Sequence, residues 1–290
     1  MPRNLRMTSM PESISLVLRP KDILELPSSE GYQLYSALLN VMNHWNETTA
    51  RHTHDSPISS ISISNLEGIF RRSQRPKHKM ADPANTYEFT IGITDPKETD
   101  IFSAIIQPLV LREQDLMLEN GALTVEKSTS TSTSFKKLVE SSRNYEKPFI
   151  EFCFRSPTCI KYRNSDVIEM FPHREAVFTS LVGKWNSVCP EGMKLSLERD
   201  EMARFMMERP LSYETHSTMV NTFIDIKKGH AKPKLMQGFQ GCCRYMFTKD
   251  APNDIRNAIL ALSKFAEYSG VGSAVARGCG AVKVIVGEAM

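Results

Sequence analysis

The C-terminal half of the chain changes hydrophobic period in a readable sequence. FIEFCF (149–154) is a short apolar run of strand character, whereas REAVFTSLVGKWNSVC (174–189) spaces Val177, Leu181, Val182 and Trp185 at helical intervals. The second pattern predicts a helix laying one apolar face on a sheet. STMVNTFIDI (217–226) and residues 235–247 read as two strands joined by the basic turn KKGHAKPK (227–234), whose length and composition suit a protruding hairpin. After Pro252 and the cap candidates Asn253 and Asp254, Ile255, Ile259, Leu262, Phe265 and Ala266 form a helical stripe closing near Gly270. Residues 282–286 are a β-branched last strand. The predicted order is βαββαβ, the ferredoxin-like arrangement.

The first half repeats that order less cleanly. Residues 13–18 read as a strand, and residues 32–48 as a helix with Leu34, Leu38, Val41 and Trp45 on one face. Strands follow at 58–66 and 87–93, then a helix at 100–111 and a strand at 122–127. Between the halves, STSTSTS (128–134) and KKLVESSRNYEK are polar and read as a linker or loosely ordered loop. The expected class is therefore α+β, with tandem ferredoxin-like (RRM-like) domains at residues 1–140 and 141–290.

Composition narrows the partners. The 290 residues, 41% hydrophobic and 24% charged, suit an ordinary globular chain of one or two domains. No stretch reaches the ~20 apolar residues of a membrane helix, and MPRNLRMTSMPE lacks the apolar core of a secretory signal, so the cytoplasm is expected and a membrane is not. The cysteines Cys153, Cys159, Cys189, Cys242, Cys243 and Cys279 include no C-x-x-C spacing and are expected as free thiols, with no zinc site, no other metal and no cofactor. A net charge of only +3 means that a polyanion would be met by local patches.

Tandem four-stranded sheets favour RNA as the partner, because such sheets are recurring platforms for single-stranded nucleic acid. The glycine-rich segment SGVGSAVARGCGAVKV (269–284) fits no nucleotide-cofactor motif: it follows a helix and precedes a strand, the reverse of a dinucleotide fingerprint, and it lacks the Gly-Lys-Ser/Thr of a Walker loop. Two readings remain. Gly270, Gly272, Ser273, Gly278 and Gly280 could expose backbone N–H groups to a phosphate chain beside the charge of Arg277. Alternatively, the glycines form a close-packed turn covering helix against sheet.

GFQGCCRYMF, the helix after it, and YSGVGSAVARGCGAVKV together resemble the C-terminal signature of the CRISPR repeat-processing endoribonucleases of the RAMP superfamily. In that family a G-F-x-G-x strand and an amphipathic helix lead into a loop of the form S-G-V-G-x-x-T-x-x-G-x-G. Gly238, Phe239 and Gly241 fit the first part and Ser269, Gly270, Val271, Gly272, Ser273, Gly278 and Gly280 the second, with Val275 near the usual threonine. FRSPTCIK (154–161) and VFTSLVGKWN (177–186) resemble two further family blocks, so the resemblance spans most of residues 149–286.

Toward the N-terminus the family commonly carries a histidine after the first helix, followed about ten residues later by a segment like P-F-T-I-S-x-L-x-G. Here HTHDSPISSISISNLEG supplies His54, followed by Asp55, as the best fit and His52 as its rival, with Ser64, Leu66 and Gly68 matching the later segment. The resemblance implies cleavage of precursor CRISPR RNA into guide units without a metal: the ribose 2′-hydroxyl attacks the adjacent phosphorus and leaves a 2′,3′-cyclic phosphate and a 5′-hydroxyl. The nucleophile belongs to the RNA, so the protein must align the attack, move a proton and stabilise charge. An imidazole, with its reference pKa of about 6.5, suits the proton transfer. Some relatives add a tyrosine from the first helix and a lysine. Tyr32 and Tyr35 miss the equivalent spacing, which falls near Leu39, no lysine lies between His54 and Leu66, and Arg51 is the remaining candidate.

For RNA binding, Lys227, Lys228, Lys232 and Lys234 of the hairpin turn join Arg277, and Arg71, Arg72, Arg75, Lys77, His78 and Lys79 crowd one N-terminal loop that reads, taken alone, as a solubilising surface. The expected partner is CRISPR repeat RNA. A homodimer and a CRISPR effector complex are compatible with it. The competing readings are a catalytically inactive subunit that holds the repeat RNA and a generic RNA-recognition protein, and the latter lacks its aromatic K/R-G-F/Y-G/A-F-V-x-F/Y strand here.

Overall fold

A computed structural model describes residues 10–56, 60–162, 165–225 and 230–288. Its N-terminal unit runs β1 (Glu12–Pro20), β2 (Leu24–Pro27), α1 (Gly31–Trp45), α2 (Glu47–Asp55), β3 (Ile61–Ile63), β4 (Arg71–Arg72), β5 (His78–Ala81), β6 (Tyr87–Ile93), α3 (Glu98–Ile106), β7 (Leu116–Leu118) and β8 (Gly121–Ser132). The C-terminal unit continues with α4 (Phe135–Ser142), β9 (Pro148–Thr158), β10 (Ile160–Lys161), β11 (Ile168–Glu169), α5 (Arg174–Val188), α6 (Arg199–Phe205), β12 (Met206–Pro210), β13 (Glu214–Asp225), β14 (His230–Phe247), α7 (Asn253–Ser269) and β15 (Val282–Glu288).

Both main sheets have the ferredoxin-like strand order. The first runs β3-β6-β1-β8-β7 and the second β12-β14-β9-β15, with β13 also pairing β14. Every pairing in them is antiparallel. Strand alternation explains the layers: in β1, Ile14, Leu16 and Leu18 are fully buried, while Ser13 and Ser15 turn to the other face. Two large clusters of buried side chains result, one around Leu16, Leu38 and Phe89 and one around Phe152, Trp185 and Phe265, beside a small one of Cys159, Val220 and Cys279. Burying one such side chain contributes roughly 1.5–3 kcal/mol.

Two sequence expectations need correction. The STSTSTS stretch is no linker: residues 128–132 complete β8 and pair with β1, since exposed Ser and Thr tolerate an edge-facing β conformation. Just after it, Phe135 and Leu138 of α4 pack into the second cluster. The cysteines are not all thiols: Cys153 and Cys242 stand directly opposite each other on β9 and β14, with Cα atoms 4.1 Å apart, and are joined as a disulfide. Their separation of 89 residues hides that pairing from any local spacing rule.

The helix predicted over 32–48 is in fact two. Asn46 caps the end of α1 and starts α2, with an extended backbone (φ −153°, ψ 96°) and a side chain that accepts the Thr49 N–H at 3.0 Å. That turn folds HTHD back against α1. A small sheet, β2-β5-β4, which the sequence pattern did not suggest, covers one side of this unit.

Candidate active site

His54 lies in the last turn of α2 and His52 two residues, just over half a turn, before it, so their side chains leave the helix in different directions. His54 faces α1. Its Nδ1 is 3.2 Å from the hydroxyl of Tyr35, and the two rings lie nearly parallel, 22° between planes, with centroids 6.4 Å apart. From the other domain, the guanidinium of Arg277 sits 5.7 Å from the centroid of the Tyr35 ring. Imidazole, phenol and guanidinium thus converge, and they come from both halves of the chain.

Burial pushes the Tyr35 phenol above its ordinary value, against the opposing pull of Arg277, so the hydroxyl keeps its proton. His54 is exposed and Tyr35 is 5% exposed, which leaves the far edge of the imidazole open to a ligand. His52 is held elsewhere. Its Nε2 is 3.1 Å from both carboxylate oxygens of Asp95, which also accepts from the Ser60 hydroxyl and the Lys97 amide. Burial alone would raise the Asp95 carboxyl, but these hydrogen bonds outweigh it and hold it below the usual range. Arg51 pairs with Glu47 at 2.6 Å on the exposed side of α2.

The segment between α7 and β15 is a packed turn. The amides of Gly270, Val271, Gly272, Ser273, Cys279 and Gly280 are hydrogen-bonded to Ala266, Gly280, Ser180, Cys159, Ala274 and Pro157. The expectation that this loop opens its glycine N–H groups to a ligand therefore gives way to the close-packed reading, and Gly270, Gly278 and Gly280 are buried. Of the loop's side chains, Arg277 reaches the constellation. From behind, Ser180 and Lys184, one turn apart on α5, hold the loop at Gly272 N–H (2.9 Å) and Ser269 C=O (3.2 Å). Burial pushes the Lys184 ammonium down to about 8.

What seats the loop on the N-terminal unit is backbone against backbone. A methyl group on Gly31 would lie 2.5 Å from both the Arg277 carbonyl oxygen and the Gly278 Cα, and one on Gly278 (φ +81°) would lie 2.6 Å from the Gly31 Cα. Just before Gly31, the buried Glu30 carboxylate accepts the Leu66 amide at 2.6 Å and pairs with Lys79 at 2.9 Å, fixing the start of α1.

The β13–β14 arm approaches the same helix: Ser29 and Thr218 hydroxyls are 2.5 Å apart, and the Tyr32 hydroxyl is 3.4 Å from Asn221 Oδ1. Lys232 and Lys234 lie on β14 opposite Phe223 and Asn221, while Lys227 and Lys228 lie outside the described residues. The two main sheets also enclose a cleft of about 280 Å³ lined in part by Arg155, Lys283, Glu67, Glu88 and Glu267. Its charges are mixed, and neither His54 nor Arg277 lines it. Among the described residues no helix is long and apolar enough to cross a membrane, and no cluster of His, Cys, Asp and Glu suits a metal ion.

Tyr35 is the residue that reasoning from the sequence set aside. The family spacing falls near Leu39, and the break at Asn46 folds α2 back so that Tyr35 meets His54 instead. The signal was Asn46 itself, followed by Glu47, a start pattern inside a helical run.

Residues 152–282 match the family model for the CRISPR-associated endoribonuclease Cas6. A Cas6 endoribonuclease of Streptococcus thermophilus is 25% identical over 194 residues, covering 66% of this chain and 72% of the relative. Among solved structures, a Cas6 product complex superposes with a TM-score of 0.69 at 15% identity over 96% of this chain and all (100%) of the other. Thermus thermophilus Cas6 gives 0.64 at 14% identity over 96% and 99%. The product of a Cas6-related gene from Pyrococcus furiosus gives 0.63 at 16% identity over 95% and 98%. The family's sequence pattern thus lies in residues 152–282, and the fold of solved Cas6 proteins extends over nearly the whole chain.

Proposed function

We propose that this protein binds CRISPR repeat RNA and cuts precursor transcripts into guide units by attack of a ribose 2′-hydroxyl on the neighbouring phosphorus. The observation that carries the reading is the meeting of His54, Tyr35 and Arg277 at the seam of the two domains. Each has a part. With Nδ1–H donating to the Tyr35 oxygen, His54 in its imidazolium form gives the Nε2 proton to the departing 5′-oxygen, while the 2′-hydroxyl releases its own proton to water. The guanidinium of Arg277 neutralises the extra negative charge of the phosphorane. The bond from the 2′-oxygen to phosphorus forms as the bond to the 5′-oxygen breaks, giving a 2′,3′-cyclic phosphate and a 5′-hydroxyl.

His52 is the second choice for the acid because its Nε2 faces Asp95 and not the seam. The lysines of the arm supply further contacts to the RNA phosphates in this reading. The test is incubation of a labelled repeat transcript with the protein in EDTA. A single cut that disappears with a 2′-deoxy residue at the cleavage position and in His54→Ala supports the nuclease. Tight binding with no cut at all would make the chain an RNA-holding subunit.

A further inference from the structure

The six basic residues between Arg71 and Lys79 are divided by the fold into two groups. Arg71 pairs with Asp82, Lys79 pairs with the buried Glu30, and His78 Nδ1 lies 2.9 Å from the Pro76 carbonyl. Arg72, Arg75 and Lys77 are exposed and, among the described residues, face no carboxylate.

The turn that carries them is ordered. The Ser73 hydroxyl donates to Glu25 Oε1 at 2.5 Å and accepts the Arg75 amide at 2.9 Å, and Lys77 adopts a left-handed conformation, φ +58°. Strand register fixes where the turn lies. Pro27 pairs with His78, and the Ser28 amide donates to the Lys77 carbonyl at 2.8 Å, so the turn stands at the end of the small sheet from which the chain enters α1. The next three residues reach the surrounding elements: Ser29 the arm at Thr218, Glu30 the Leu66 amide and Lys79, and Gly31 the glycine loop at Arg277. Uncompensated charge on a braced turn beside the site is placed for a polyanion and not merely for solubility.

We infer that Arg72, Arg75 and Lys77 form a second contact for the phosphate backbone of the RNA, on the N-terminal domain at the end of the small sheet from which the chain enters α1. The inference rests on the reading of RNA as substrate. These residues hold the strand without touching the scissile phosphate, so they set affinity and its salt dependence and leave the cleavage step alone.

The probe is a repeat RNA carrying a 2′-deoxy residue at the cleavage position, with binding followed by fluorescence anisotropy over a series of salt concentrations. The triple variant Arg72→Gln, Arg75→Gln, Lys77→Gln is expected to lower the slope of log affinity against log salt by about 2, since each contact with a single strand contributes roughly 0.7. Affinity at 0.1 M salt falls by on the order of tenfold or more. Cleavage of the all-ribose repeat at saturating protein stays within about twofold of the parent rate, the size of change a group remote from the reacting atoms produces. Arg71→Gln, whose charge already faces Asp82, leaves the slope unchanged. A triple variant with the parent's slope and affinity overturns the inference while the parent's own cleavage leaves the enzymatic reading standing; a parent that neither binds nor cuts the repeat removes both.

Discussion

The Tyr35 hydroxyl and the His54 Nδ1 face each other at 3.2 Å across the bend between two helices that the sequence pattern joined into one. Their pairing gives the imidazole a defined orientation and leaves its other nitrogen for the substrate. His54→Ala is expected to lower the single-turnover cleavage rate on the order of 10² to 10⁴-fold while the dissociation constant of a 2′-deoxy repeat is unchanged. Tyr35→Phe, which removes only the hydroxyl, should slow cleavage by about tenfold, matching the loss of one hydrogen bond worth ~1.4 kcal/mol, and should alter the pH–rate profile. Equal rates for Tyr35→Phe and the parent would take Tyr35 out of the mechanism.

His52 and Asp95 form the contrasting pair, turned away from the seam. Because the folded Asp95 carboxyl lies below its unfolded value, its stabilisation is present above the ordinary carboxylate range and is lost as pH falls through the depressed value. Asp95→Asn should therefore cost ~2 kcal/mol near neutrality and flatten the decline of the melting temperature between about pH 5 and pH 3. Melting curves over that range check it. Cleavage by His52→Ala should remain within roughly tenfold of the parent, well inside the 10²-fold minimum set for a proton-transfer residue.

Two glycines in helices make opposite predictions. At Gly31 a methyl group would meet the Arg277 carbonyl and the Gly278 Cα, each at 2.5 Å, whereas at Gly183 on α5 nothing lies within 4 Å. Gly183→Ala should raise stability by roughly 0.5–1 kcal/mol, the intrinsic helix preference of alanine over glycine. Gly31→Ala must push the glycine loop off α1, and overpacking of this kind costs about 1–3 kcal/mol. It should also lower cleavage more than it lowers RNA affinity, because Arg277 is drawn away from Tyr35 and His54. Chemical denaturation and single-turnover kinetics on both variants decide it.

The Cys153–Cys242 bridge predicts a thiol count. Titration of the denatured, unreduced protein should give four thiols, from Cys159, Cys189, Cys243 and Cys279, and reduction should give six. In the chain-entropy account a cross-link closing a loop of this length contributes roughly 4 kcal/mol, so the reduced protein should melt earlier. Six thiols before reduction would show that the two cysteines face each other unjoined.

Much of the architecture was legible because it follows from short-range rules. The period of Val177, Leu181 and Trp185 sets which face of α5 is buried, and the alternation in β1 and β9 sets which residues enter the core, whatever the rest of the chain does. The same rules gave the order of both ferredoxin-like units, whereas His54 came forward only through the resemblance to the CRISPR repeat-processing endoribonucleases. The small β2-β5-β4 sheet was not legible, because strands of two to four residues carry too little periodicity to register.

The sequence by itself determined the elements, their order and the presence of an imidazole and a guanidinium at opposite ends of the chain. Only the tertiary structure decided that Arg277 rests near Tyr35, that Tyr35 and not Leu39 meets His54, that His52 turns to Asp95, and that Cys153 finds Cys242. The reason is physical: secondary structure responds to side chains a few residues apart, whereas these meetings depend on how a bend at Asn46 and a contact between two glycines, Gly31 and Gly278, set one domain against the other.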